Sequence, residues 1–304
     1  MTLTFCRIFS RVVTEGSFLK AAESLNMTPS AVSHAVTDAE NQVGFKLFNR
    51  TKSGVTLTEN GRALYPAVLQ LLGCEDSLNQ TVDDLRGLRS GTVNLGIFNS
   101  VCTNWMPEIF RRFEEAYPDI RINIFEGSYD DVIYWIKNGF AELGFLSTTC
   151  TCELPVDGRY VDPLVCIVPP DFPNREPGFI SLDEMRNQHF IIQREGSDAD
   201  VQMLFKKYGL QYHTSCHVLD DTSIMAMIAC RRGISIMPSL TAKGLEGNLK
   251  VLRLKPEEHR VIGLAAMDLK LLSPAARRLR ECINAFMDEE MGLLKKSLSK
   301  VASA

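Results

Sequence analysis

No apolar run reaches the roughly 18 residues that a membrane-spanning helix needs, so no such helix is expected. The chain also lacks a basic start followed by an apolar stretch, the mark of a secretory leader, and is expected to stay in the cytosol. Charge of one sign is missing too: 33 Lys and Arg stand against 37 Asp and Glu, a net charge of −4. That balance excludes a strongly basic chain that coats nucleic acid, so any DNA contact must come from a few local cations. Nine cysteines, an odd number scattered from Cys6 to Cys282, do not make a disulfide framework, and cytosolic thiols stay reduced. No G-x-S-x-G elbow, P-loop, H-E-x-x-H pair or glycine-rich dinucleotide turn occurs. The five histidines have no nucleophile beside them except Cys216, so neither an enzyme nor a bound cofactor or metal is expected. Internal repeats and low-complexity tracts are absent. What remains is 304 residues, 45% apolar and 23% charged, an ordinary globular composition long enough for two or three domains.

The densest information lies between Ser17 and Gly61. Ser17 reads as an N-cap before Phe18, Ala21, Ala22 and Leu25, whose i, i+3, i+4, i+7 spacing makes one apolar face. Asn26 and Met27 break that pattern, and Thr28-Pro29 starts a second helix with proline where its missing N–H costs nothing. Ala31, Val32, Ala35, Val36 and Ala39 face inward, which leaves Ser30, Ser33, His34 and Thr37 outward as small hydrogen-bonding groups suited to base edges and phosphates. Phe5, Ile8, Phe9, Val12 and Val13 mark a covering helix upstream. Downstream, 46–50 and 55–58 flank a basic hairpin that reads as a wing. Candidate DNA contacts are Thr28, Pro29, Ser30, Ser33, His34 and Thr37 on the second helix, with Lys46, Arg50 and Lys52 on the hairpin. A protein-binding module built on the same helices is the competing reading.

These residues resemble the winged helix-turn-helix of LysR-type transcriptional regulators. The pattern runs through Phe9, Gly16-Ser17-Phe18, Ala21-Ala22-Glu23, Leu25, Ala31-Val32-Ser33, Glu40, Gly44, Leu47-Phe48-Asn49-Arg50 and Leu57-Thr58-Glu59-Asn60-Gly61. Two positions depart from it: Ala39 stands where a leucine is usual, and Pro29 where a glutamine is frequent.

From Thr58 to about Leu88, Leu64, Val68, Leu71, Leu72, Leu78, Val82 and Leu85 predict one long helix, with Pro66 inside it. About 30 residues at 1.5 Å each span roughly 45 Å. A helix that long and separate needs a partner for its apolar stripe, and an identical chain supplies one; the resemblance implies a linker helix that pairs two subunits. Beyond Gly91 the pattern alternates: strand 92–97, helix 105–117, strand 121–126, helix 128–138, strand 143–146. That order predicts a parallel sheet with right-handed crossovers, continued by strands at 161–168, 190–192 and 233–238 and helices at 200–208 and 222–231. The resemblance implies a regulatory part of two α/β lobes, similar to periplasmic solute-binding proteins. The expected fold class is therefore α/β, with a winged helix-turn-helix at 1–58, a linker helix at 59–89 and a two-lobed domain at 90–304. Lobe I is placed at about 90–162 and 265–304, lobe II at about 163–264.

Ligands of open parallel sheets sit beyond the carboxyl ends of the strands. That rule selects 99–103, 127–128, 147–148, 193–197 and 221–223, loops rich in hydroxyls and N–H groups that suit a small anion. By resemblance Ser100 leads the effector-binding candidates, with Val101, Thr103, Ser128, Thr148, Gln193 and Thr222. No arginine occupies the first-lobe loops, and Arg194 is the cation offered from the second. Cys102, Cys150 and Cys152 suggest a rival thiol trigger, and His213, Cys216 and His217 a metal cluster, without a four-ligand signature. The expected function is a sequence-specific regulator that binds double-stranded DNA as a dimer or tetramer, with a small-molecule effector between its lobes. The alternatives are a thiol-responsive regulator of the same fold or a cytosolic solute-binding protein.

Overall fold

The computed structural model describes residues 1–302 except 52–53, 88, 151–152, 187, 194–198, 211–212 and 219; for 193, 213–218 and 296–302 it describes the backbone alone. The head begins with α1 (Leu3–Glu15), which the Thr2 hydroxyl caps by accepting from the Phe5 N–H and which Gly16 ends at φ 59°. Phe5, Ile8, Phe9 and Val12 are buried along one stripe. α2 (Phe18–Ser24) and α3 (Pro29–Val43) start where their caps predict: Ser17 accepts from Lys20 and Thr28 from Ala31. β1 (Phe48–Thr51) and β2 (Gly54–Leu57) form the hairpin, in register Phe48 to Leu57.

The long helix α4 (Glu59–Leu85) runs unbroken through Pro66. Leu64, Tyr65, Val68 and Leu72 pack on the core of the head. Farther along, Gln80 is buried: its Nε2 donates to the Thr92 carbonyl at 3.4 Å, and its Oε1 accepts from the Ala275 N–H at 3.3 Å. Leu71, Leu78 and Leu85, seven residues apart, stay exposed along the other face.

In lobe I, β3 (Gly91–Ile97) pairs in parallel with β4 (Ile120–Glu126) and β5 (Leu143–Ser147). The chain reaches these strands through α5 (Asn99–Asn104), α6 (Met106–Ala116) and α7 (Tyr129–Lys137). α7 lies so close to β5 that a Cβ on Gly144 would sit 2.5 Å from Val132 Cγ1. Trp105 stands at the start of α6 as expected, fully buried and edge-on to Tyr160. Two expectations change here. Residues 99–103, expected as a loop, form α5. The sheet is mixed, because β12 (His259–Ala265) runs antiparallel both to β5 and to the first half of β6 (Val156–Val168). That pairing runs 259–264, which the sequence boundary set in lobe II, beside strands of lobe I.

The second half of β6 enters lobe II, where it pairs antiparallel with β10 (Ser235–Pro238) and β11 (Lys250–Lys255), and β7 (Phe179–Ser181) flanks β11. β8 (His189–Gln193) and β9 (His213–Val218) form a parallel pair. α8 (Leu182–Met185), α9 (Ala199–Tyr208), α10 (Asp221–Ala229) and the short α11 (Ser239–Ala242) complete the lobe, and α12 (Pro274–Ala302) returns across lobe I. Each lobe has its own core, one around Trp105, Phe113, Phe145 and Ile283, the other around Cys166, Phe190, Phe205 and Leu252. Among the described strands β6 and β12 run at the junction of the two cores, and Asp162 and Arg260 meet there.

Candidate functional site

Two neighbouring strands carry opposite charges at that seam. Arg260 on β12 stands directly across from Asp162 on β6. Arg260 is 4% exposed and Asp162 fully buried, so each needs the other. The guanidinium donates through Nε to Asp162 Oδ2 at 2.9 Å, through Nη1 to the Tyr129 hydroxyl at 2.9 Å and through Nη2 to Ser100 Oγ at 3.0 Å. It also lies over the Phe98 ring, 5.0 Å from its centroid. Asp162 Oδ1 accepts from the Leu240 N–H at 3.0 Å.

The network continues into lobe II through Asp200, in the first turn of α9. Tyr129 donates to Asp200 Oδ2 at 2.9 Å and Ser147 to Oδ1 at 2.8 Å, while Thr149 donates to the same Oδ1. Three hydroxyls of lobe I thus converge on one carboxylate of lobe II. Burial pushes the Tyr129 phenol well above its ordinary range, which keeps it a neutral donor. Burial also raises the Asp162 carboxyl, against the opposing pull of Arg260 and the Leu240 N–H. For Arg260 burial opposes the charge, but Tyr129, Asp162 and Asp200 outweigh it and hold the guanidinium protonated.

Beside this network opens a cavity of about 480 Å³ between the lobes. Ser100, Thr103, Ser128 and Thr222, all selected from sequence, line it. Ser100 already accepts from Arg260, and Ser128 is the N-cap of α7, its Oγ donating to Asp131 at 2.7 Å. Val101 is corrected: it points into the lobe I core, fully buried. Thr148 is corrected as well; it is exposed, and its N–H donates to the Val261 carbonyl. Ser147 and Thr149, one residue to either side, are the hydroxyls that meet Asp200, the first at the end of β5 and the second in the turn that follows it. The Gln193 side chain and Arg194 lie outside the described residues. Arg260, Tyr129, Asp162, Asp200 and Thr149 were not selected from sequence, and Ser147, inside the selected stretch 147–148, was passed over for Thr148, although a lone Arg in His259–Ala265 and a lone Asp before Pro163 are charges inside apolar strands. Glu126 and Asp220 sit on the outer wall, held by Asn99 at 3.0 Å and by the Ser223 hydroxyl at 2.7 Å.

Cys102 lies beside the cavity wall, hydrogen-bonded to Glu126. Burial, and then the Glu126 carboxylate, push the Cys102 thiol up, away from the reactive thiolate. Cys152 and the side chains of His213, Cys216 and His217 lie outside the described residues. Among the described residues no group of three His, Cys, Asp or Glu is placed to hold a metal.

In the head, Thr28, Pro29, Ser30 and His34 are exposed on one face of α3. Thr37 Oγ1 donates to the Ser33 carbonyl at 2.8 Å. Arg50 ties hairpin to helices: Nη1 donates to Ser33 Oγ at 3.3 Å, and the guanidinium lies 4.5 Å from the Phe18 centroid. Lys46, an exposed side chain, forms an ion pair 2.7 Å from buried Glu40, whose other oxygen accepts from the N–H groups of Leu47 and Phe48. Lys52 lies outside the described residues.

Comparison with known proteins adds four findings. Residues 3–62 match the family described as bacterial regulatory helix-turn-helix protein, lysR family, and residues 86–288 match the LysR substrate binding domain. The uncharacterized HTH-type transcriptional regulator YvbU of Bacillus subtilis is 26% identical over 280 residues, covering 91% of this chain and 96% of the relative. A full-length OxyR variant from Pseudomonas aeruginosa superposes with a TM-score of 0.74 at 20% identity, over 93% of this chain and 98% of that one. The effector binding domain of QuiR in complex with shikimate has a TM-score of 0.59 at 24% identity, over 66% of this chain and 98% of that one. Among the described residues no helix is long and apolar enough to cross a membrane.

Proposed function

The chain belongs to the LysR family of DNA-binding transcriptional regulators, and on that premise we propose that it senses a small hydroxylated monocarboxylate in the cleft between its lobes. The observation that carries this reading is the convergence of Tyr129, Ser147 and Thr149 on Asp200. These donors already hold a carboxylate, and a ligand carboxylate can take its place once Asp200 withdraws. Glu126 and Asp220 on the outer wall accept hydrogen bonds from hydroxyls and repel a second negative charge. The QuiR effector binding domain, similar in fold, is described in complex with shikimate, a hydroxylated monocarboxylate, which supports that ligand class. Exchange of an internal acid for an external one changes what joins the lobes, and α4 passes that change to the head through Gln80, Thr92 and Ala275. The head is assigned to 1–58, the linker to 59–89 and the two lobes to 90–304, and the protein is placed in the cytosol. It carries out no catalysis in this reading; its relatives are regulators, and Arg260 and Asp200 are engaged with each other's neighbours.

The reading is tested by capture of fragmented genomic DNA on the purified protein, with and without a panel of hydroxylated monocarboxylates. A few enriched inverted repeats whose retention or bending changes with one acid support it; retention indifferent to every acid and to cleft variants defeats the effector part. His34→Ala, on the exposed face of α3, is expected to weaken specific binding by about 1–3 kcal/mol while non-specific binding stays. Equal affinity of variant and parent for the captured site would remove His34 from the reading face. The exposed seven-residue stripe of α4 is proposed to pair with a second copy. Leu78→Glu is then expected to lower the solution mass toward one chain at low micromolar concentration, measured by sedimentation; an unchanged mass would place the interface elsewhere.

A further inference from the structure

A second cavity, of about 400 Å³, lies between α11 and the C-terminal part of α12. Its walls are apolar through Leu240, Val251, Leu293 and Leu294. Its polar lining holds two carboxylates and a phenol that can accept hydrogen bonds, beside one cation, Lys243. Tyr160 is 7% exposed, packs edge-on against Trp105, and its hydroxyl has no hydrogen-bond partner among the described residues. Glu246 Oε2 is buried without a partner, and Glu290 lines the same space. Lys243 also borders the cavity but makes no ion pair with either glutamate. A buried carboxylate oxygen without a donor is unfavourable, so the site stands to gain from a ligand that brings N–H donors and positive charge.

We propose that this cavity is a second binding site, distinct from the interlobe cleft, for a small molecule with an apolar body and a protonated amine. The amine is received by Glu246, Glu290 and the Tyr160 hydroxyl, and the body by Leu240, Val251 and Leu294. Neutral and anionic molecules of the same shape leave Glu246 unpaired or repel it. The site also reaches the cleft: Leu240 on its wall donates its N–H to Asp162, and the Leu240 carbonyl accepts from Asn104 at 3.0 Å. Occupancy therefore bears on the α11 turn that helps hold the Arg260 network, and the two ligands are coupled.

The test is titration calorimetry of the full-length protein with phenethylamine, 2-phenylethanol and 3-phenylpropionate. Phenethylamine is expected to bind, 2-phenylethanol about tenfold or more weakly and 3-phenylpropionate not at all. Glu246→Gln is expected to weaken phenethylamine about tenfold. Leu293→Trp, a change at a residue 59% exposed and so compatible with folding, is expected to block it by filling the cavity. Equal binding of the three probes, or phenethylamine binding retained by both variants, would overturn the proposal. So would loss of binding in Glu126→Gln with Glu246→Gln unaffected, which would put the amine in the cleft, and so would a change of oligomeric state in Leu293→Trp without amine binding by the parent, which would make the cavity a seam between copies.

Discussion

Arg260→Ala is expected to cost the two-lobed domain about 3–5 kcal/mol, the largest effect of any single change in the cleft. The substitution leaves Asp162 fully buried with only the Leu240 N–H, and takes the donors from Ser100 and Tyr129. Arg260→Lys should recover only part of the loss, since one ammonium cannot reproduce a fork that reaches three partners at once. Replacing both charges, Arg260→Met with Asp162→Leu, should cost less than Arg260→Ala alone, because no ion is then left without its partner. Urea unfolding of the four proteins measures these differences. A loss below about 1 kcal/mol for Arg260→Ala would mean that water reaches Asp162 and that the network does not join the lobes.

The second large effect is expected in the head. Glu40→Ala should destabilise it by about 1.5–3 kcal/mol and abolish specific DNA binding, although Glu40 itself faces away from any groove. Its carboxylate joins the end of α3 to the start of the hairpin through Lys46, Leu47 and Phe48. Without it, Arg50 and the wing lose their position relative to Ser33. Burial pushes this carboxyl up, but the hydrogen bonds from Lys46 and from the N–H groups of Leu47 and Phe48 prevail and hold it below its ordinary value. A folded value below the unfolded one means that the contribution is complete above the usual Glu range near about 4.3 and fades as pH falls through the folded value. The stability gap between parent and Glu40→Gln, from thermal unfolding at neutral and acid pH, should therefore narrow at the acid end. A gap independent of pH would show that the ionised form has no special role.

How much of this was readable beforehand differs between head and lobes. In the head, cap and periodicity work within a few residues, so Ser17 and Thr28-Pro29 mark helix starts that the structure reproduces. The duty of Lys46 was not visible, because its partner six residues away had to be brought round by the turn at Gly44. In the lobes, the strand-end rule selected Ser100, Thr103, Ser128 and Thr222, which line the cavity, and Thr148, whose neighbours Ser147 and Thr149 turn toward Asp200 because of the turn that follows β5. Arg260 and Ser100 are 160 positions apart, and Tyr129 and Asp200 71 apart; no local pattern connects them.

The sequence alone determined the winged head, the long helix with its exposed leucine stripe and the alternation of strands and helices, because caps, turns and apolar periods are properties of neighbouring residues. Only the tertiary structure decided which charges meet. β6 and β12 had to pair antiparallel to put Asp162 opposite Arg260, and α9 had to dock on lobe I to bring Asp200 to three hydroxyls. Burying those charges far from water is tolerable only with their partners in place, and that placement exists only once both lobes have folded.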